Sequence, residues 1–361
     1  MFFDWAQNSL SPEQYDAAET RACAQLSIPH LMAFRPVAYQ SVGWPIRVTS
    51  EAELVRYADH NFEHEVPGLF APDAVFPPVG YRNAFTPDEK ELIDVIRDRV
   101  AAVTERCGRR IRPITNLLVQ TGPFRMLNQL AEGFRVSKLA VFEVGPGAGY
   151  LGALLAQTGH RYLTYDVTQS YYLWQNRLLA AVAGRDFSEL AGQENTKSAA
   201  AALQRGRVVH LPWWTYAQFL ANTPVRTDVV YSNSNLSEMT RVALRHVLHI
   251  SRQMLQRSPI GVFCFFSKGM PSQTPHEELD SEFERFGYEK VMDEPFHAFV
   301  TTPERAARIR TLFEGGLRHY APSGRPATLT AKDVVPLYRN EAPLDVHLTQ
   351  WLMGWQPPFR D

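Results

Sequence analysis

The stretch that decides the fold reads Ala140-Val141-Phe142-Glu143-Val144-Gly145-Pro146-Gly147-Ala148-Gly149-Tyr150. It has the pattern of a buried strand that stops at an acidic residue and opens into a glycine-rich turn. Leu151, Leu154 and Leu155 then repeat at helical spacing, and Gly159 stands where a glycine ends a helix. Glycines at 145, 147 and 149 let backbone approach a ligand closely and let N–H groups face it. Strand, glycine turn and helix in that order predict the first unit of a nucleotide- or nucleoside-binding α/β domain.

The chain around this unit continues the pattern. From about residue 136 to 302, strand and helix signals alternate. Strands are predicted over 139–144, 162–165, 208–211, 228–232 and 260–267, with helices starting after Gly149, Thr168 and Asn235. Two late segments, 288–293 and 298–302, form a hairpin-like pair. An alanine-rich stretch ending at Arg205 reads as a helical insertion without evident chemistry.

Two features bear on the ligand. Gly147-Ala148-Gly149-Tyr150-Leu151-Gly152 satisfies G-x-G-x-x-G, the pattern of dinucleotide sites. Glu143, two positions before the first glycine, makes Glu-x-Gly-x-Gly-x-Gly, which resembles motif I of Rossmann-like methyltransferases that use S-adenosylmethionine (SAM). Many dinucleotide folds begin with this strand, whereas here it lies far along the chain. Asp166 ends the second strand, and a carboxylate there can hold ribose hydroxyls in NAD and SAM sites alike. An NAD-dependent oxidoreductase and an ordinary crossover whose aspartate caps a helix stay open as alternatives.

The second informative stretch is Asp228-Val229-Val230-Tyr231-Ser232-Asn233-Ser234-Asn235-Leu236-Ser237-Glu238-Met239. A polar loop here opens at the carboxyl edge of the sheet, where ligands bind in doubly wound folds. The string Asn-Leu-Ser-Glu-Met after such a strand resembles a bacterial family of sugar O-methyltransferases, over roughly residues 136 to 270. The resemblance implies a Rossmann-like methyltransferase sheet, mostly parallel with an antiparallel last strand, and SAM as cofactor. It implies a small-molecule acceptor, a sugar or natural-product hydroxyl, with an amine or amino-acid-like acceptor as the alternative. A non-catalytic module on the same fold is a third reading.

On this reading Gly145, Gly147, Gly149 and Tyr150 shape the cofactor pocket, with Glu143 near the amino-acid moiety. Asp166 and Val167 meet the ribose, Pro212 and Trp213 face the adenine, and Ser232 and Asn233 complete the cofactor side. Asn235 and Ser237 face the acceptor, and Glu238 or His276 serves as base.

Each of these has a plainer reading. Asn235-x-x-Glu238 has the form of a capping box, ahead of an apolar helical face at Met239, Val242, Val247, Ile250 and Met254. Trp213 and Trp214 are also good core residues, and Tyr171, Tyr172 and Trp174 read as packing on a helix. His276 and Lys268 fall in a polar loop beyond the fifth strand. His60 and His64, with Glu63 and Glu65, have metal-face spacing, but no third ligand is apparent and no metal is assigned.

Composition sets the outer limits. With 361 residues the chain can form one large domain or two modest ones. Lys and Arg number 37 against 38 Asp and Glu, so no basic field exists to draw nucleic acid. Three scattered cysteines, Cys23, Cys107 and Cys264, argue against a disulfide scaffold or a cysteine zinc site. No run approaches a membrane span, and the opening Met1-Phe2-Phe3-Asp4-Trp5 lacks the basic stretch of a secretory leader, so the expectation is cytoplasmic. The expected organisation is a helical cap over 1–130, a SAM-binding core over 131–302 and an extension over 303–361. That extension packs back on the core or forms a subunit contact, as in a homodimer.

Overall fold

The computed structural model describes residues 9–34, 47–56, 86–108, 110–113, 117, 120–192, 196–219, 225–269, 273–293 and 296–317. His60, His64, the proline-rich 67–78 stretch and the chain after 317 lie outside the described residues.

Eight strands form one sheet. They are β1 Ala140–Val144, β2 Arg161–Asp166, β3 Phe187–Glu189, β4 Val208–Pro212, β5 Val229–Ser232, β6 Val262–Phe265, β7 Glu289–Met292 and β8 His297–Val300. Their spatial order is β3-β4-β2-β1-β5-β6-β8-β7. Every pairing from β3 through β6 is parallel, and β8 runs antiparallel between β6 and β7. The doubly wound α/β sheet with its reversed last strand is therefore the one the sequence predicts. Strand β3 was not anticipated: three half-buried residues at an edge carry no alternation to detect.

Register decides where a ligand can sit. Val144 of β1 lies beside Tyr165 of β2 and Ser232 of β5. The three central strands thus end level, and Gly145, Asp166 and Asn233 emerge side by side.

The helices are α1 Pro12–Cys23, α2 Ile28–Phe34, α3 Pro87–Glu105, α4 Thr121–Gly133, α5 Tyr150–Gln157, α6 Gln169–Ala183, α7 Thr196–Arg205, α8 Trp213–Ala217, α9 Arg241–Leu255, α10 His276–Arg285 and α11 Pro303–Phe313. Helix α3 starts with Thr86 and Glu89 in a capping box and proline at the first position. Gly159, at φ +81°, follows α5 in the left-handed conformation expected of a terminating glycine. Gly152, inside α5, is a packing glycine: a Cβ there would enter the ring of Tyr162 on β2.

The helix expected to start after Asn235 forms but starts later. Only a 3₁₀ turn spans Leu236–Glu238, and the Asn235–Glu238 capping box does not form. Helix α9 starts at Arg241, capped by the Thr240 hydroxyl, which accepts from Ala243 N at 3.2 Å. Its buried face accordingly runs through Ala243, Leu244, Val247 and Ile250, while Val242 is 59% exposed.

The N-terminal helices pack on α6 and α8. Tyr15 of α1 sits 5.1 Å from the rings of both Tyr172 and Trp214. Phe34 of α2 meets Tyr216 and His246 edge-on at 6.0 and 5.3 Å. Arg177 of α6 is buried, donates to Leu10 O at 3.1 Å and pairs with Glu51. Among the described residues no helix is long and apolar enough to cross a membrane.

Candidate active site

A crevice of about 230 Å³ opens over the carboxyl ends of β1, β2 and β5. Val144, Gly145 and Gly147 line it from β1 and its turn. Tyr165, Asp166, Val167, Thr168 and Tyr171 come from β2 and the start of α6. The β5 side gives Asn233, Ser234, Asn235, Glu238, Met239 and Ala243, and α2 gives Phe34. The two carboxylates, Asp166 and Glu238, are the charged side chains among these described lining residues.

The glycine turn needs its glycines. Gly145, Gly147 and Gly149 have φ of +63°, +57° and +77°, a region that costs other residues about 1–2 kcal/mol. A Cβ on Gly147 would meet nothing within 4 Å, so bare backbone faces open space there. A Cβ on Gly145 would instead collide with the Asn235 amide. Asn235 donates from Nδ2 to Val144 O at 2.6 Å and Gly145 O at 3.0 Å, and its Oδ1 accepts from the Ser232 hydroxyl. Asn235 therefore bridges the ends of β5 and β1 as it lines the crevice.

Asp166 is 5% exposed. Oδ1 accepts from Thr168 N at 3.0 Å and Oδ2 from Gln175 Nε2 at 3.0 Å. Burial pushes its carboxyl up to about 6, against the pull of these donors and of the Val167 and Gly147 N–H groups. At neutral pH it is mostly ionised, an acceptor-only group at the crevice wall.

Glu143 lies elsewhere. Its side chain is buried away from the crevice lining and accepts from the Tyr162 hydroxyl at 2.6 Å. Burial lifts its carboxyl to about 8, so it is protonated at neutral pH. The expected contact with a cofactor's amino-acid moiety has no direct geometry here. The motif acid sits next to Tyr162 because Val141 pairs with Tyr162 and side chains two apart on a strand share a face. Glu143 and Tyr162 thus lie on the same side of the sheet, one residue short of the strand end that lines the crevice.

Other expected residues divide similarly. Gly145, Gly147, Asp166, Val167, Asn233, Asn235 and Glu238 come together in the crevice. Gly149 and Tyr150 stand behind it at the start of α5, Gly149 in the helix-capping position. Pro212 and Trp213 are not in its lining, and the Trp213 indole donates to Glu19 at 2.7 Å as a packed residue. Ser232 is spent on Asn235. Ser237 is fully buried, and its carbonyl accepts from Gln273 N and Thr274 N. His276 Nε2 donates to Gly269 O at 2.7 Å, which ties up that ring nitrogen outside the crevice.

The sequence reading missed Phe34, which reaches the site from a helix more than 100 residues upstream of the glycine turn. It assigned Tyr171 to packing, whereas Tyr171 is half-buried and lines the crevice. Ser234 also lines it, at φ +59°, held by its N–H on Ser267 O at 2.9 Å. Among the described residues no group of three or more His, Cys, Asp or Glu is arranged to hold a metal ion.

No protein-family model matches the sequence, and no curated protein sequence matches it. Comparison with solved structures finds magnesium protoporphyrin IX methyltransferase (ChlM) from Synechocystis with bound SAM, at 13% identity and TM-score 0.35, covering 61% of this chain and 100% of that one. The glycopeptide N-methyltransferase MtfA with S-adenosylhomocysteine (SAH) is similar at 14% identity and TM-score 0.33, covering 49% and 87% of the two chains. The N-methyltransferase NodS from Bradyrhizobium japonicum, also with SAH, is similar at 12% identity and TM-score 0.31, covering 50% and 87%.

Proposed function

We propose that the chain is a SAM-dependent methyltransferase acting on a hydroxyl of a small molecule, a sugar or a natural product. One observation carries the reading: the crevice over a left-handed glycine turn is walled by two carboxylates, Asp166 and Glu238, and by bare backbone at Gly147. Such a wall favours a cationic ligand with a ribose diol over the anionic pyrophosphate of a dinucleotide. The reversed β8 beside β6 is the sheet ending expected of methyltransferases and not of dinucleotide dehydrogenases.

The residues present fit the cofactor. The open backbone at Gly147 would take its amino-acid end, and ionised Asp166 would accept from the ribose hydroxyls. Bound SAM supplies a methyl group on a good leaving group. The protein's work is then to hold an acceptor oxygen in line and exclude water. Glu238, in the crevice lining, would take the proton of an acceptor hydroxyl. Phe34, Tyr171 and Met239 offer ring and thioether faces to the apolar side of an acceptor. We assign acceptor choice to the helical N-terminal region, residues 1–130, because Phe34 belongs to it. We take the core as 131–302, with α11 of the 303–361 extension packed against β7 and β8.

Calorimetric titration with SAH, SAM and NAD in parallel tests the reading. Micromolar binding of the two SAM-type ligands with NAD silent supports it and directs an acceptor screen, hydroxyls before amines. NAD binding alone overturns it.

A further inference from the structure

Gln175 does not line the crevice, yet it touches what does. Fully buried on α6, it donates from Nε2 to Gly147 O at 2.7 Å and to Asp166 Oδ2 at 3.0 Å. Its Oε1 lies 3.0 Å from His210 Nε2. A Cβ on Gly149 would rest 3.3 Å from its Cγ.

The orientation of this amide is fixed by elimination. A carbonyl can only accept, so the atom facing Gly147 O is the amide nitrogen. Oε1 is then left for His210, whose Nε2 must carry the ring's proton. Burial holds His210 far below its usual range, at about 3, so the ring is neutral and has one N–H to give. That N–H goes to Gln175. The ring is held in place by stacking on Tyr172, 3.9 Å away and 15° from parallel. Next along α6, Trp174 Nε1 donates to Ala148 O at 3.2 Å.

We propose that Gln175 is a positioning residue that locks the glycine turn and the Asp166 carboxylate into one fixed relation, with neutral His210 setting its amide. The inference rests on the SAM reading of the crevice and adds a residue that touches neither cofactor nor acceptor. A turn in which every second residue is left-handed has no ladder of its own. Here the carbonyls of Gly147 and Ala148 are both tied to α6, and the same Gln175 amide holds Asp166 Oδ2. Two separate loops are thereby ordered before a ligand arrives, so binding does not meet that entropic cost.

The test compares wild type with Q175L and Q175E, by SAH calorimetry and by hydrogen exchange of the ligand-free proteins. Q175L should weaken SAH binding by about tenfold or more, the loss of one to two buried hydrogen bonds. Exchange should accelerate at residues 145–149 and 166–168 and not across β5 and β6. Q175E places a second carboxyl beside Asp166 and Gly147 O, so its SAH binding should improve as pH falls, opposite to wild type. Wild-type SAH affinity and exchange in Q175L would overturn the proposal. So would acceleration spread evenly over the sheet, the mark of a merely structural role. If wild type itself binds no SAH, the SAM reading fails, and the exchange pattern alone still decides the role of Gln175.

Discussion

Asn235 closes over Gly145 across the boundary between two strands: its Nδ2 donates to the Gly145 carbonyl at 3.0 Å and occupies the space a side chain on Gly145 would need. The contact explains why position 145 is glycine for two reasons at once, φ and space. Gly147 has the φ reason alone. We therefore expect G145A to lose about 2 kcal/mol or more of stability, and G147A about 1 kcal/mol. The N235A substitution should partly relieve G145A, so their double-mutant cycle should show coupling of about 1 kcal/mol. Denaturant unfolding of the four proteins checks this. Strict additivity would mean that the two residues do not share the space.

Glu143 leads to a second expectation. Its carboxyl is raised from 4.5 to about 8, first by burial. The folded state then holds a proton that the unfolded chain gives up, so stability falls as pH rises from about 4.5 to 8. E143Q keeps an acceptor for the Tyr162 hydroxyl and has no proton to lose. It should match wild type near pH 4 and exceed it by a few kcal/mol at pH 8 and above, with SAH binding intact. Thermal unfolding across that range measures the gap. Loss of SAH binding in E143Q would return Glu143 to the cofactor.

These two residues also show what the sequence can and cannot tell. The strand, turn and helix around Gly145 were legible because hydrophobic runs and glycines are local signals. Glu143 and Asp166 share one face of the sheet, since Glu143 pairs with Thr164. That Asp166 reaches the crevice while Glu143 is closed off against Tyr162 depends on where each strand ends and on what covers that face. Asn235 matched a capping box by spacing, but its amide found the carbonyls of Val144 and Gly145, 91 and 90 residues away in sequence. A tertiary partner displaced a local one. Phe34 left no signal, because an aromatic residue on a short helix reads the same whether it packs on a core or faces a ligand.

Asp166 should make ligand binding sensitive to acid. Its folded value, about 6 against an ordinary 3.8, means that it protonates within the accessible range. The ionised form is the acceptor for hydroxyls, so SAH affinity should fall by up to about tenfold per pH unit below 6. In the free protein the sign is opposite. The folded state binds the proton more tightly than the unfolded chain, so this group adds stability as pH falls from 6 toward 4. D166N should remove both effects and bind SAH poorly at every pH. Calorimetry at pH 5, 6 and 7.5 separates the outcomes, and an unchanged affinity in D166N would sink the ribose assignment.

Glu238 tests the chemistry apart from the binding. It lines the crevice from a 3₁₀ turn, on the β5 side opposite Asp166. E238Q preserves shape and removes the ability to take a proton. Once an acceptor is found, kcat should fall by about 10²- to 10⁴-fold, the usual worth of a positioned general base. SAH affinity should stay within about twofold, since on this reading Glu238 faces the acceptor. Swapping the hydroxyl acceptor for an amine of the same shape sharpens the point. A neutral amine needs no base before attack, so the penalty of E238Q should shrink with it. An equal loss for both acceptors would make Glu238 a binding group for the acceptor and leave proton removal to solvent.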